Sequence, residues 1–170
     1  MTTNEIIGCV TMIVAVIGLI FSCYQWWKKV RSERAERLSN LINLLRKDVR
    51  QLNILYQIDY GNFRYDNNFH NGKSEGEMDQ LLSFYEYILY LKMEHIISKK
   101  EFSFFEYDII RIVENTDLQS YLYNLYHFSE HSGTPFAYNY ILKYAKEEVR
   151  CIDPSFFDKR SKVYTQYLNF

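Results

Sequence analysis

Cysteine, proline and glycine are all scarce in this chain of 170 residues, numbering three, two and six. Cys9 and Cys23 fall inside one apolar run and Cys151 stands alone, which excludes a disulfide framework and agrees with the reducing side of a membrane. No stretch of useful length alternates with the period of two that a half-buried strand requires. Phosphate-cradling glycine loops, nucleophile elbows and a Ser-His-Asp order are missing as well. The carboxylates are scattered along helix faces rather than paired. These absences leave no cofactor and no metal centre to expect, and no active site to nominate with conviction. At a formal charge of −1 the chain has room for one anchor and one domain. A domain of about 130 to 140 residues is large enough to bury a core.

Charge is missing altogether from residues 6–27, IIGCVTMIVAVIGLIFSCYQWW. As a helix this run is about 33 Å long, one bilayer crossing, and apolar residues cover every face of it. No Lys or Arg precedes it, it is too long for a signal-peptide core, and no small-x-small site follows. It is therefore expected to remain as an anchor. After it come Trp26 and Trp27 and then KKVRSERAER, in which Lys28, Lys29, Arg31, Arg34 and Arg37 outnumber Glu33 and Glu36. Basic residues stay cytoplasmic and Trp settles among the headgroups, so Trp26, Trp27, Lys28 and Arg31 mark the membrane interface. The expectation is a single-pass protein of the inner (plasma) membrane with its N-terminus outside and everything from Lys28 onward cytoplasmic. The basic neck is expected to hold anionic lipid headgroups, at about 1 kcal/mol per basic residue.

The span also carries a seam. Gly8, Thr11, Ala15, Gly18, Ser22, Gln25 and Lys29 recur in alternating steps of three and four. Helices in lipid associate through close backbone approach and side-chain hydrogen bonds, which small and polar residues permit. Two outcomes fit. The seam packs against a copy of itself, or a ring of copies turns it inward around a wettable path.

Residues 28–58 contain neither Gly nor Pro, and Leu38, Ile42, Leu45, Val49, Leu52 and Tyr56 repeat in steps of four and three. That is an amphipathic helix, expected to continue the anchor as one rod of about 50 residues, near 75 Å. Residues 59–76 are rich in Gly and Asn and read as a loop. Helical periodicity returns over 77–97, with His95 a partly exposed helix residue, and over 101–114. Asn115 caps a helix to about His131, closed by Gly133. Thr134-Pro135 and Asp153-Pro154 each signal a further helix, to about Arg150 and toward Leu168. The fold class is all-α, organised as an anchor (1–29), a long juxtamembrane helix (30–58) and a cytoplasmic bundle of about five or six helices (59–170). Sixteen Tyr and twelve Phe supply rings for its core or for subunit interfaces.

Two patterns bear on chemistry. His127-Phe128-Ser129-Glu130-His131 matches H-x-x-E-H, a zinc-protease motif, but only 39 residues follow it and no third ligand or cleft is in sight. A capping or surface role for these histidines is the expectation. Arg64 and His70, separated by five residues, are similar to the RNA-cleaving pair of the HEPN ribonucleases. Those proteins are all-helical bundles in which two copies bring Arg/His pairs onto the ribose 2′-hydroxyl and the scissile phosphate. The chain departs from that pattern at Tyr65, where the family has a polar residue, and in setting the pair in a loop.

Taken together, the anchor and basic-aromatic junction over 6–29 and the pair Arg64 and His70 resemble the small membrane accessory proteins of type VI-B CRISPR-Cas systems. The resemblance implies a HEPN-like bundle and a homo-oligomeric ring forming an inner-membrane pore. It also implies a functional link to an RNA-guided RNA-cleaving effector whose antiphage defence the pore strengthens. Two alternatives stay open: a membrane-tethered HEPN-like ribonuclease or RNA-binding module using Arg64 and His70, and a structural anchor whose bundle recruits a cytoplasmic partner.

Overall fold

The structure, a computed structural model, describes residues 3–70 and 72–166. Asn71 of the expected loop, the end of the expected final helix toward Leu168, and the side chains of Ile6, Cys9 and Val10 in the expected anchor lie outside the described residues. Among the described residues there is no strand, and the fold is all-α as expected. Six α-helices follow one another: α1 (Thr3–Lys47), α2 (Val49–Asp59), α3 (Lys73–Met93), α4 (Lys99–Glu114), α5 (Thr116–Ser132) and α6 (Asn139–Tyr144). A π-helical turn (Ala145–Val149) continues α6, and a short 3-10 turn (Pro154–Phe157) comes after it. The chain divides into two compact units, Met1–Leu44 and Leu45–Phe170.

The first unit is helical throughout its described length. Nothing in residues 3–47 breaks the backbone ladder, and Gly8 and Gly18 sit inside it with open space where a Cβ would stand.

The expected single rod does not run on to Ile58. Asp48 leaves the helical region (φ −88°, ψ 97°) and caps α2, its carboxylate accepting from the Arg50 backbone N–H at 3.0 Å. An aspartate offers the backbone this alternative to the helix ladder, and the break resets the rotational phase of α2. Leu38, Ile42 and Leu45 are at least half-buried, as the stripe requires, but Val49 and Tyr56 beyond the break are exposed. Ile54, Leu55 and Ile58 take the inner face instead.

In the second unit α3 is the central helix. Met78, Leu81, Leu82, Tyr85, Ile88 and Leu89 are wholly buried, and the helix packs on α2, α4 and α6. Each such aliphatic side chain stabilises by about 1.5–3 kcal/mol relative to exposure. The helix starts at Lys73, four residues earlier than the Gly-Asn pattern indicates, helped by Glu75 in its first turn and a Lys73–Glu77 ion pair of 3.7 Å. It ends at Met93, so His95 is not a helix residue: it is exposed in the following turn with φ +56°.

Ser98 and Glu101 form a reciprocal capping box at the start of α4, which buries Phe102, Phe105, Ile109, Ile112 and Val113 on one face. Asn115 caps α5 through the Leu118 N–H, and Gly133 closes it in the left-handed conformation at φ +68°. The buried face of α5 is wider than its sequence stripe: Tyr123, Asn124 and His127 are inside, whereas Phe128 is 41 % exposed.

The expected helix from Pro135 begins only at Asn139. Phe136 and Tyr138 are buried from the intervening extended segment, and the Glu86 carboxylate of α3 accepts from the N–H groups of Tyr140 (2.8 Å) and Ile141 (2.9 Å), capping α6 from outside. The signature at Asp153-Pro154 yields only the 3-10 turn, which buries Phe156.

Candidate functional site

Every described residue of the run 6–27 with a characterised side chain is exposed within its own chain, from Ile7 and Met12 to Phe21 and Trp26. The helix is long and apolar enough to cross a membrane by length and composition. Gly8, Thr11, Ala15, Gly18, Ser22, Gln25 and Lys29 are all exposed too. Thr11 Oγ1 donates to the Ile7 carbonyl at 2.9 Å, so that hydroxyl is satisfied within the helix. Ser22 and Gln25 make no hydrogen bond among the described residues and keep their polar groups for a neighbour or water. At the lower end of the span the Arg31 guanidinium lies 5.6 Å from the Trp27 ring centroid, and Lys29 pairs with Glu33 at 3.9 Å.

Arg64 and His70 both lie in the loop between α2 and α3, as the sequence indicates, but they serve different neighbours. Arg64 donates to the Phe63 carbonyl at 2.7 Å and pairs with Asp117 Oδ2 at 3.7 Å, its side chain 66 % exposed. Asp117 uses its other oxygen to accept the Tyr65 N–H at 3.1 Å. His70 is mostly buried, with Nε2 at 2.7 Å from the Tyr65 hydroxyl and Nδ1 at 2.9 Å from Glu75 Oε1. Its ring packs near Tyr65, Phe69 and Tyr121. Among the described residues no hydrogen bond joins Arg64 to His70.

Two residues that sequence reasoning missed therefore organise this loop: Asp117, readable only as part of a helix start, and Glu75, readable only as part of a turn-rich stretch. The spacing of five between Tyr65, His70 and Glu75 is the signal that was there.

Arg64 also lines a groove of about 510 Å³ with Arg111, Asp59, Glu114 and Asp117. Arg111 is engaged with Asp59, both carboxylate and carbonyl, at 3.3 Å. Two guanidiniums against three carboxylates leave the groove with an excess of negative charge, which does not draw a phosphodiester.

The H-x-x-E-H stretch divides in the same way. His127 is buried rather than superficial; its Nε2 donates to the Phe156 carbonyl at 2.9 Å and its ring centroid lies 4.4 Å from that of Tyr123. His131 is exposed in the last turn of α5, where a basic group suits the helix dipole. Among the described residues no group of three or more His, Cys, Asp or Glu is arranged to hold a metal ion.

The geometry thus defines an all-α protein in which, among the described residues, one helix is long and apolar enough to cross a membrane. No protein-family model, curated protein or solved structure matches the chain.

Proposed function

We propose that this chain is a single-pass protein of the inner membrane that assembles through α1 into a ring, the seam from Gly8 to Lys29 lining a pore. The observation that carries the reading is α1: a 45-residue helix whose described apolar side chains over the span are all exposed. Lipid satisfies the outer faces. The stripe of small residues, with Ser22 and Gln25 unbonded, suits helix-to-helix contact and a wettable lining gated by dewetting. The basic neck beyond Trp27 supports the orientation in which residues from Lys28 onward are cytoplasmic. The resemblance to the type VI-B CRISPR-Cas accessory proteins extends the proposal to its role: permeabilising or depolarising the membrane in support of an RNA-guided antiphage effector.

The test is the mass of the detergent-solubilised chain by light scattering corrected for bound detergent, followed by conductance in lipid bilayers. A single species of many subunits is expected, and Ala15→Leu with Gly18→Leu should abolish both assembly and conductance. A Cβ at Gly18 stands in open space, so substitution there meets no packed neighbour within the chain at that atom. A monomer or dimer encloses no water and sinks the pore. Conductance that survives the double substitution removes the seam from its lining.

A further inference from the structure

A groove of about 220 Å³ lies between α3, α5 and the extended segment 134–138. Leu125, Phe128, Phe136 and Tyr138 make its lining largely apolar and aromatic, and Asp79 is the one charged residue among its described lining residues. The Asp79 carboxylate is held firmly. Oδ1 accepts from the Tyr121 hydroxyl at 2.7 Å and from the Tyr138 hydroxyl at 2.9 Å, and both tyrosines are buried. Oδ2 has no hydrogen-bond partner among the described residues, and none of the ion pairs there includes Asp79.

Both hydrogen-bond donors to this carboxylate are neutral phenols, so among the described residues no cation is paired with it. The Tyr121 phenol is pushed up by burial first, then by Asp79, with Glu75 adding to the effect. The Tyr138 phenol is pushed up by burial and Asp79, and Glu86 contributes there. One acidic side chain thus borders an aromatic groove, the combination that attracts an organic cation.

We propose that this groove binds a small soluble primary amine in its ammonium form, with N–H donated to Asp79 Oδ2 and a short apolar tail against Leu125 and the aromatic side chains. A divalent metal is disfavoured because hard cations need several oxygen ligands and Asp79 supplies one carboxylate. A guanidinium fork is disfavoured because it wants both carboxylate oxygens, and Oδ1 is already shared by two phenols. An ethanolamine lipid headgroup carries the same ammonium beside a phosphate, which Asp79, Glu75 and Glu86 repel. The proposal is independent of the pore.

Calorimetric titration of the detergent-solubilised full chain, at matched ionic strength, tests it with n-butylammonium, n-butanol, tetramethylammonium and O-phosphoethanolamine. Saturable binding of n-butylammonium is expected, with no binding of n-butanol. Tetramethylammonium, which has no N–H, should bind about tenfold or more weaker, and Asp79→Asn, which still offers an acceptor to both phenols, should weaken n-butylammonium by a similar factor. Phe128→Ala, at a ring 41 % exposed, should weaken it about two- to fivefold. Absence of saturable binding, equal affinity in Asp79→Asn, or equal binding of n-butanol overturns the proposal. If Asp79→Asn does not fold, undiminished binding in Phe128→Ala overturns it. Preference for O-phosphoethanolamine over n-butylammonium overturns the soluble source.

Discussion

Lys92 of α3 donates to Glu148 at 2.6 Å across 56 positions of sequence, and the same ammonium lies 4.5 Å from the Phe102 ring centroid and 4.4 Å from that of Tyr144. One cation thus joins α3, α4, α6 and the π-helical turn. Its side chain is only 19 % exposed, so the two aromatic contacts act in a partly desolvated setting, while Glu148 at 50 % remains open to solvent. Lys92→Met should therefore cost about 1–2 kcal/mol, more of it from the rings than from the ion pair. Thermal unfolding of the full chain followed by circular dichroism measures this. Glu148→Gln should cost less than half as much, and an equal cost would assign the stabilisation to the ion pair.

Arg64 and His70 should respond to substitution in opposite ways. His70→Ala leaves the buried Tyr65 hydroxyl and Glu75 without their shared partner and should cost about 1–3 kcal/mol. Arg64→Ala, at an exposed guanidinium, should stay within about 0.5 kcal/mol. Unfolding and RNA-cleavage assays on both variants distinguish a structural histidine from a nuclease pair. Equal loss of cleavage in both variants, with stability unchanged, would restore the ribonuclease reading.

Stability should fall steeply at alkaline pH. Burial raises the phenols of Tyr85, Tyr121 and Tyr138 above their ordinary value and pushes Tyr144 up to about 12, Glu106 and Glu148 adding to the last. A group whose folded-state pKa is raised contributes stability that is complete below its unfolded value, 10.0 here, and is lost as pH rises through the folded one. Tyrosinate absorbance should accordingly show a late fraction that ionises together with loss of helical signal. A non-cooperative titration of every tyrosine before the helical signal changes contradicts this.

At the break between α1 and α2 the sign runs the other way. Hydrogen bonding from the Arg50 side chain, joined by its backbone N–H, holds the Asp48 carboxyl below its ordinary 3.8. Its contribution is complete above that value and disappears as pH falls through the folded pKa. Asp48→Ala should destabilise the chain at neutral pH, and the difference from the parent should vanish in strong acid. A difference that persists there means that the carboxylate charge is not what caps α2.

The long apolar helix, the helical class, and the caps at Asn115 and Gly133 were legible because each depends on neighbours in sequence. The inner face of α4 was legible for the same reason: an uninterrupted period over Phe102, Phe105, Ile109, Ile112 and Val113 fixes which side turns inward. Asp48 illustrates where that logic stops. A single residue exchanging the helix ladder for its own side-chain bond shifted the phase, and the stripe that ran through Leu45 left Val49 and Tyr56 facing solvent.

The candidate residues divide along the same line. Their spacing puts Arg64 and His70 in a shared loop, with Tyr65 and Glu75 five residues either side of His70, but Asp117 reaches Arg64 from the first turn of α5 and Tyr121 reaches the His70 ring from the buried side of that helix. His127 reads as a surface histidine until the 3-10 turn brings the Phe156 carbonyl to it. The same holds for the helix expected at Pro135, which gave way because burying Phe136 and Tyr138 outweighed one local helix-start signal, and because Glu86 could cap the chain later.

What the sequence by itself determined is therefore local: an uncharged apolar stretch, a basic neck, and helices with the ends of α4 and α5, all set by hydrophobic period, backbone chemistry and capping within a few residues. What only the tertiary structure decided is which polar groups meet, because a buried carboxylate or imidazole takes its partner from whichever element packing brings within hydrogen-bond reach. Asp79 meeting Tyr121 and Tyr138 across 42 and 59 positions is of that second kind.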